Sequence, residues 1–131
     1  MKRRDVEIIH RNGQFLVICA KEPLPLSLST VVRETRYRVD GLCEQLGISE
    51  RHLRRVFEEG LGLSPKDWMR RERMVAARAL LREGSAIKEV AIDLGFTSHK
   101  VFGREFQLFY GMSPTDFQRK FISFHPLQVV A

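Results

Sequence analysis

The chain has 131 residues, 44% of them hydrophobic, and its 22 Lys and Arg against 16 Asp and Glu give a net charge of +6. This length fits one small globular domain with modest appendages and excludes a large ligand-sensing domain beside it. No apolar stretch approaches the roughly 18 residues of a membrane span, and the basic start lacks the apolar run of a signal peptide. We therefore expect a cytoplasmic protein without membrane contact, whose charge suits a polyanion such as nucleic acid.

Two short β-favouring runs, Val6–His10 and Gln14–Ala20, flank the turn-forming pair Asn12-Gly13, which predicts a β-hairpin. A two-stranded hairpin is marginally stable alone in water. We expect it to pack on the helices, to gain a third strand, for which residues 127–130 are a candidate, or to pair with a second copy.

The two cysteines, Cys19 and Cys43, lie in apolar surroundings without the C-x-x-C or histidine spacing of a zinc site. They are expected to be reduced, packed thiols rather than a disulfide or a metal site. Cys19 also has no neighbouring cation or histidine to activate it as a nucleophile. The sequence therefore predicts no metal, no cofactor and no catalytic residue.

From Ser27 onward, apolar periodicity predicts helices. They cover approximately residues 28–35, 39–46, 50–60, 65–82, 87–94, 98–110 and 114–121. The longest begins at Ser64-Pro65, where a hydroxyl cap and a first-turn proline favour a helix start, and it ends before Gly84. Its arginines are assigned to its charged face: Arg70, Arg71, Arg73, Arg78 and Arg82.

One pattern occurs twice along these helices. Leu46-Gly47-Ile48-Ser49 leads to Gly62-Leu63-Ser64-Pro65, and Leu94-Gly95-Phe96-Thr97 leads to Gly111-Met112-Ser113-Pro114. In each copy a small residue, Cys43 or Ala91, stands four positions before the first glycine. The small side chain permits a close helix crossing and the glycine supplies a turn with positive φ, which together predict a helix-turn-helix. The repeat therefore indicates one structural unit built twice.

The two copies differ by one residue in the turn. Leu46 aligns with Leu94, but Leu53 aligns with Phe102, one residue further along. The hydroxyl residues Ser49 and Thr97 are suited to cap the helices that follow. The two units are thus expected to be similar but not interchangeable.

Three motifs carry a family resemblance. They are Arg73-Met74-x-x-Ala77-Arg78-x-Leu80-Leu81, Ile87-x-Glu89-Val90-Ala91-x-x-x-Gly95-Phe96 and Phe102-x-Arg104-x-Phe106-x-x-x-Tyr110-Gly111-Met112-Ser113-Pro114. With these motifs the chain resembles the DNA-binding domain of AraC/XylS-type bacterial transcription regulators from about Ser27 to Phe121. The resemblance implies two three-helix helix-turn-helix subdomains joined by a long linker helix. Together with the hairpin predicted from its own residues, the expected fold is mainly α with a short N-terminal β-hairpin.

The expected division of the chain combines this resemblance with the predicted hairpin. Residues 1–26 form the hairpin and linker, 27–63 the first helix-turn-helix, 64–84 the linker helix, 85–122 the second helix-turn-helix and 123–131 a C-terminal tail. A long helix can hold two recognition helices about 34 Å apart, one turn of double-stranded DNA. Both would then enter successive major grooves.

Seven residues match positions where the family contacts bases. They are Arg51, Arg54 and Arg55 in the first recognition helix, and His99, Lys100, Gly103 and Arg104 in the second. The planar fork of arginine bonds guanine O6 and N7 together. The alternative is that these side chains touch only phosphates or lie on a solvated face. Gly103 departs from the small polar residue usual in the family and either allows close approach of the backbone to DNA or weakens reading by this helix.

Six residues near helix starts are candidates for phosphate contact. They are Ser49, Ser64, Lys66, Thr97, Ser98 and Ser113. Free N–H groups and the helix dipole favour an anion at such a place. Each hydroxyl also has the simpler role of capping its own helix.

The resemblance implies a transcription regulator, more often an activator, with RNA polymerase as a second partner. An architectural or antagonist protein that occupies DNA sites without recruiting polymerase remains an alternative. An enzyme related to DNA-repair alkyltransferases is disfavoured, because Cys43 occupies the helix crossing. A weak homodimer through the hairpin stays open, as does control by abundance or by a longer parent chain. The operator and the inducing signal are not written in the sequence.

Overall fold

The computed structural model describes residues 6–20 and 22–122, which form three short strands followed by seven helices. In chain order these are β1 (Val6–Arg11), β2 (Gln14–Cys19), β3 (Leu26–Ser27), α1 (Leu28–Glu34), α2 (Val39–Leu46), α3 (Glu50–Leu61), α4 (Pro65–Arg82), α5 (Ile87–Asp93), α6 (His99–Tyr110) and α7 (Pro114–Phe121). The mainly α fold with an N-terminal hairpin is confirmed. The chain divides into two compact units, Met1–Glu72 and Arg73–Ala131, and the division falls within α4.

The sheet is antiparallel with strand order β1-β2-β3. Asn12 and Gly13 adopt positive φ, 53° and 79°, and Arg11 pairs with Gln14 across the turn. The third strand comes from β3, which pairs with Leu16 and Val17 of β2 and leads directly into α1. The other candidate for a third strand, residues 127–130, lies outside the described residues.

In the first unit the sheet packs on the helices, which is one of the three outcomes expected for the hairpin. The inward side chains of β1 and β2 join a core with the buried faces of α1, α2, α3 and the start of α4. Gly60 marks the closest contact, because a Cβ there would lie 2.8 Å from Ile8 Cβ and 2.9 Å from the Ile8 carbonyl oxygen. No side chain fits that gap, so glycine is required where α3 meets β1.

Edge-to-face aromatic contacts tie the start of α4 to the rest of the first unit. The Trp68 ring centroid lies 5.8 Å from that of Phe57 in α3 and 6.5 Å from that of Phe15 in β2. Such contacts add about 0.5–1.5 kcal/mol each beyond the apolar area they bury. Trp68 is thus a core residue that joins the sheet to α3.

The core of the second unit contains a cluster of phenylalanine rings beside aliphatic residues of α4 and α5. The Phe102 and Phe106 side chains are fully inaccessible to solvent, and their centroids lie 5.7 Å apart. Phe96 from the preceding turn and Phe117 from α7 continue the cluster at 5.0 and 5.4 Å. Because this cluster joins the turn, α6 and α7, it determines how α6 is oriented in its unit.

The predicted helix bounds agree with the structure to within one or two residues, with one correction at a cap. Ser98, and not Thr97, caps α6, since its hydroxyl oxygen accepts a hydrogen bond from the Val101 N–H at 3.1 Å. The extra residue of the second copy lies in the turn and moves the cap one position along the chain.

Candidate nucleic-acid interface

The turn between α2 and α3 has the geometry of a helix-turn-helix. Gly47 adopts φ 71° and ψ 35°, and its N–H donates to the Cys43 carbonyl at 2.8 Å. Cys43 is buried, with 8% of its surface exposed, as expected for the small residue predicted at the helix crossing. Burial, followed by the charges of Glu50 and Asp40, raises the pKa of the Cys43 thiol. A raised pKa keeps this sulfur protonated and unreactive.

Helix α3 has one buried face and one polar face, on which arginines lie in the N-terminal half and Glu58 and Glu59 are exposed near the C-terminal end. Leu53, Val56 and Phe57 are buried. The three predicted base-contacting arginines of this helix are all exposed: Arg51, Arg54 and Arg55. Across the described part of the chain, no ion pair involves any of these three guanidinium groups. Their side chains are therefore available to a polyanion.

The second recognition helix, α6, has a sparser polar face. His99, Lys100 and Arg104 are exposed, and Gly103 is half-buried. A Cβ added at Gly103 would meet no atom within 4 Å, so nothing within this unit requires glycine there. With Leu53 aligned to Phe102, Gly103 corresponds to Arg54, and the middle of this face has no side chain.

The candidates for phosphate contact lie at helix starts, four of them as caps. The hydroxyl oxygens of Ser49, Ser64, Ser98 and Ser113 each accept a hydrogen bond from the N–H three residues later, all at 3.1 Å. The hydroxyls thus do the capping, and first-turn N–H groups remain to face an anion. Lys66 is exposed in the first turn of α4, and Thr97 is exposed in the turn before Ser98.

Sequence reasoning missed the role of Arg73 by counting it among the charges of α4. Its Nε donates to the Leu94 carbonyl at 2.9 Å, and its Cζ lies 3.6 Å from the centroid of the Phe96 ring. A signal was present, because Arg73 stands four residues before the buried Ala77 and therefore shares its helix face.

Two further polar side chains brace the second unit. Gln118 Nε2 donates to the carbonyls of Leu81 and Ser85 at 3.0 and 2.7 Å. These two bonds supply a donor to one carbonyl in the last turn of α4 and to one just beyond the helix. The Tyr110 hydroxyl donates to the Met74 carbonyl at 2.9 Å. Burial raises the pKa of Tyr110, against the opposing charge of Arg78, so this hydroxyl keeps its proton and remains a donor.

Two negative findings apply to residues 6–20 and 22–122. No group of three or more His, Cys, Asp or Glu side chains is arranged to hold a metal ion. None of the helices in this part of the chain combines the length and apolar content needed to span a bilayer.

Comparison with known proteins finds a matching family and several similar regulators. A family profile described as a helix-turn-helix domain matches residues 42–120. The HTH-type transcriptional activator RhaR of Pectobacterium atrosepticum is 33% identical over 88 residues, which cover 66% of this chain and 31% of RhaR. The transcriptional regulatory protein HptR of Staphylococcus aureus strain NCTC 8325 is 29% identical over 84 residues, covering 64% of this chain and 33% of HptR. The chain thus spans about a third of the length of these curated relatives.

Solved structures agree with the fold. The DNA-binding domain of AdpA, solved in complex with a target DNA, is 28% identical with a TM-score of 0.58, covering 68% of this chain and 84% of that one. A DNA-binding transcriptional dual regulator from Escherichia coli K-12 is 27% identical with a TM-score of 0.59, covering 70% of this chain and 86% of that one. Two similar helix-turn-helix units with capped recognition helices and a matching family profile lead to one conclusion: the chain belongs to the AraC/XylS-type family of DNA-binding transcription regulators.

Proposed function

We propose that this chain is a sequence-specific regulator that reads two successive major-groove boxes, the first with α3 and the second with α6. The observation that carries the proposal is the exposed triad Arg51, Arg54 and Arg55 on a helix whose opposite face is buried. Arginine is suited to read guanine edges, and an amphipathic helix held by a core presents such side chains rigidly. The related AdpA domain was solved with a target DNA, which supports double-stranded DNA as the ligand.

In the second box we propose contacts from fewer arginine side chains than in the first. His99, Lys100 and Arg104 reach the groove, and Gly103 lets the backbone approach the DNA. The proposed phosphate contacts come from helix starts and fix the register of each unit without reading sequence. These residues are Ser49, Ser64, Lys66, Thr97, Ser98 and Ser113.

Selection from random double-stranded DNA at physiological salt tests this proposal. Two short enriched boxes about one helical turn apart are expected if both recognition helices read bases. A single box would restrict reading to one unit. Binding that enriches nothing and collapses with rising salt would contradict sequence-specific reading and leave phosphate attraction alone.

The second part of the proposal is that the chain activates transcription by contacting RNA polymerase in the bacterial cytoplasm. The related RhaR is an activator by name, which supports this direction of regulation. Transcription with purified polymerase from a promoter carrying the selected boxes should rise on addition of the protein. Unchanged or lower transcription would favour the architectural or antagonist alternative, in which the protein occupies its site without recruitment.

The third part is a weak homodimer through the outer face of the sheet. Ile9, Leu16 and Ile18 form an apolar strip there, with Ile18 41% exposed, and Glu7 and Arg11 flank it on β1. Two copies packed antiparallel would place Glu7 of each near Arg11 of the other. The strip is small against the area of about 1,200 Å² that a stable interface buries, so the dimer is weak. Light scattering of the chain and of Ile18→Glu tests it, and a monomeric mass at tens of micromolar contradicts it.

A further inference from the structure

We infer that Arg73 is a positioning residue of the second helix-turn-helix unit, which fixes the turn before α6 and does not serve as a phosphate contact. The inference rests on the proposed function, since it explains how α6 is held for reading. It assigns to a basic residue of the long helix a role inside its own unit.

The guanidinium engages the turn in two ways at once. Its Nε donates to the Leu94 carbonyl at 2.9 Å, and its Cζ stacks 3.6 Å from the centroid of Phe96. Leu94 and Phe96 flank Gly95, the glycine of the second helix-turn-helix. A single planar group therefore holds the backbone before that glycine and the side chain after it. Lysine has neither the planar group nor a second directed donor, so it cannot reproduce both contacts.

The turn connects directly to the second recognition helix. The Phe96 ring lies 5.0 Å from Phe102, which is fully buried in α6. The Phe96 N–H also donates to the Ala91 carbonyl at 2.9 Å, and Ser98 caps α6 two residues later. A shift of Phe96 would thus be passed to the buried face and to the first turn of α6, where His99 and Lys100 lie.

The position of Arg73 distinguishes it from neighbouring basic residues. Arg73 is half-buried, whereas Arg71 is exposed two residues earlier on the same helix. A guanidinium stacked on an aromatic ring and bonded to a carbonyl is held in place and turned toward the protein. Arg71 therefore provides the matched control for the loss of the same chemical group from a solvated position.

The test compares Arg73→Lys and Arg73→Met with Arg71→Lys and Arg71→Met on the selected DNA. Both Arg73 variants should lose about tenfold in preference for an intact over a scrambled second box, equivalent to about 1.4 kcal/mol, with preference at the first box unchanged. The slope of log affinity against log salt should remain that of the parent chain. If Arg73 instead bound phosphate, Arg73→Lys would be nearly neutral, and Arg73→Met would weaken all DNA alike and lower the slope by about one. That pattern would overturn the inference.

A second measurement works on the free protein and separates this inference from the proposed function. Hydrogen exchange of the amides at residues 95–97 should accelerate about tenfold in Arg73→Lys and not in Arg71→Lys. Phe96→Leu, which removes the ring but keeps the Leu94 hydrogen bond, should accelerate the same amides, and adding Arg73→Lys to it should change little more. If the amides at residues 95–97 exchange at the parent rate in both Arg73→Lys and Phe96→Leu, the inference is overturned even if the two DNA boxes are found. Failure to select boxes, with exchange as expected, would contradict the proposed function alone.

Discussion

The two helix-turn-helix units repeat one pattern but support their recognition helices differently. When Leu53 is aligned with Phe102, Gly60 of α3 corresponds to Phe109 of α6. Gly60 is packed against Ile8 of the sheet, whereas Phe109 is 37% exposed. The first unit therefore braces the end of its recognition helix with a sheet, and the second braces the beginning of its helix with Arg73. A repeated sequence pattern conserves the helix-turn-helix geometry and leaves the supporting contacts free to differ.

The reading faces differ in the same alignment. Arg51, Arg54 and Arg55 correspond to Lys100, Gly103 and Arg104. The first face has three planar forks suited to guanine, and the second has one, a flexible ammonium and a gap. We therefore expect the first box to carry more of the sequence preference.

The largest expected effect comes from emptying the core of one unit. Phe106→Ala removes a fully buried ring that contacts Phe102 and Phe117. It should lower the free energy of unfolding by about 3–5 kcal/mol in urea titrations. Phe57→Ala is the matched change in the first unit. If the two units hold their helices independently, each variant should lose footprint protection at the box read by its own unit while the other box stays protected. Equal loss of protection at both boxes in both variants would contradict that independence.

The contact between α3 and the sheet is tested by a substitution that adds one methyl group at Gly60. Gly60→Ala places a Cβ against the Ile8 side chain and carbonyl, so it should destabilise the protein by about 1–3 kcal/mol despite the better helix propensity of alanine. Gly103→Ala is the control in α6, where the space is open, and should stabilise by up to about 1 kcal/mol. Thermal unfolding of the two variants measures both. The same sign for both would contradict the described packing of β1 on α3.

The proposed division between base and phosphate contacts is tested at Arg54 and Lys66. Arg54→Ala should cost about 1–3 kcal/mol on the best site and relax preference at particular base pairs. Lys66→Ala should weaken all DNA similarly and reduce the salt slope by about one. Fluorescence anisotropy on matched and scrambled duplexes separates these outcomes. Equal weakening of every duplex by Arg54→Ala would reduce that residue to an electrostatic role.

The smallest expected effect concerns the corrected cap. Ser98→Ala removes the acceptor for the Val101 N–H and should cost about 1 kcal/mol of stability. Thr97→Ala, one residue earlier, should cost much less, because Thr97 does not cap α6. Chemical denaturation of the two variants makes the comparison. A larger loss for Thr97→Ala would place the cap where the sequence pattern had placed it.

The sequence predicted most of the local structure because its signals are local. Gly47 and Gly62 end their helices with φ of 71° and 72°, and Ser64-Pro65 begins the longest one, as the residue types indicate. The prediction that Thr97 caps α6 is wrong, because the sequence does not show whether the extra residue of the second copy lies before or after the cap. Arg73 was assigned to the charged face, since arginine type outweighed helical position. The Arg73 contact joins residues 21 apart in sequence, which residue type alone does not reveal.

We propose that α3 and α6 read two boxes with unequal strength. The most direct test substitutes every base pair of the selected site in turn and measures the affinity of the unmodified protein for each duplex at physiological salt. We expect two clusters of sensitive positions, about one helical turn apart, at which each substituted base pair costs about 1–3 kcal/mol, with the larger sum in the box read by α3. A single cluster, a uniform small loss across the site, or a larger sum in the box read by α6 would contradict it.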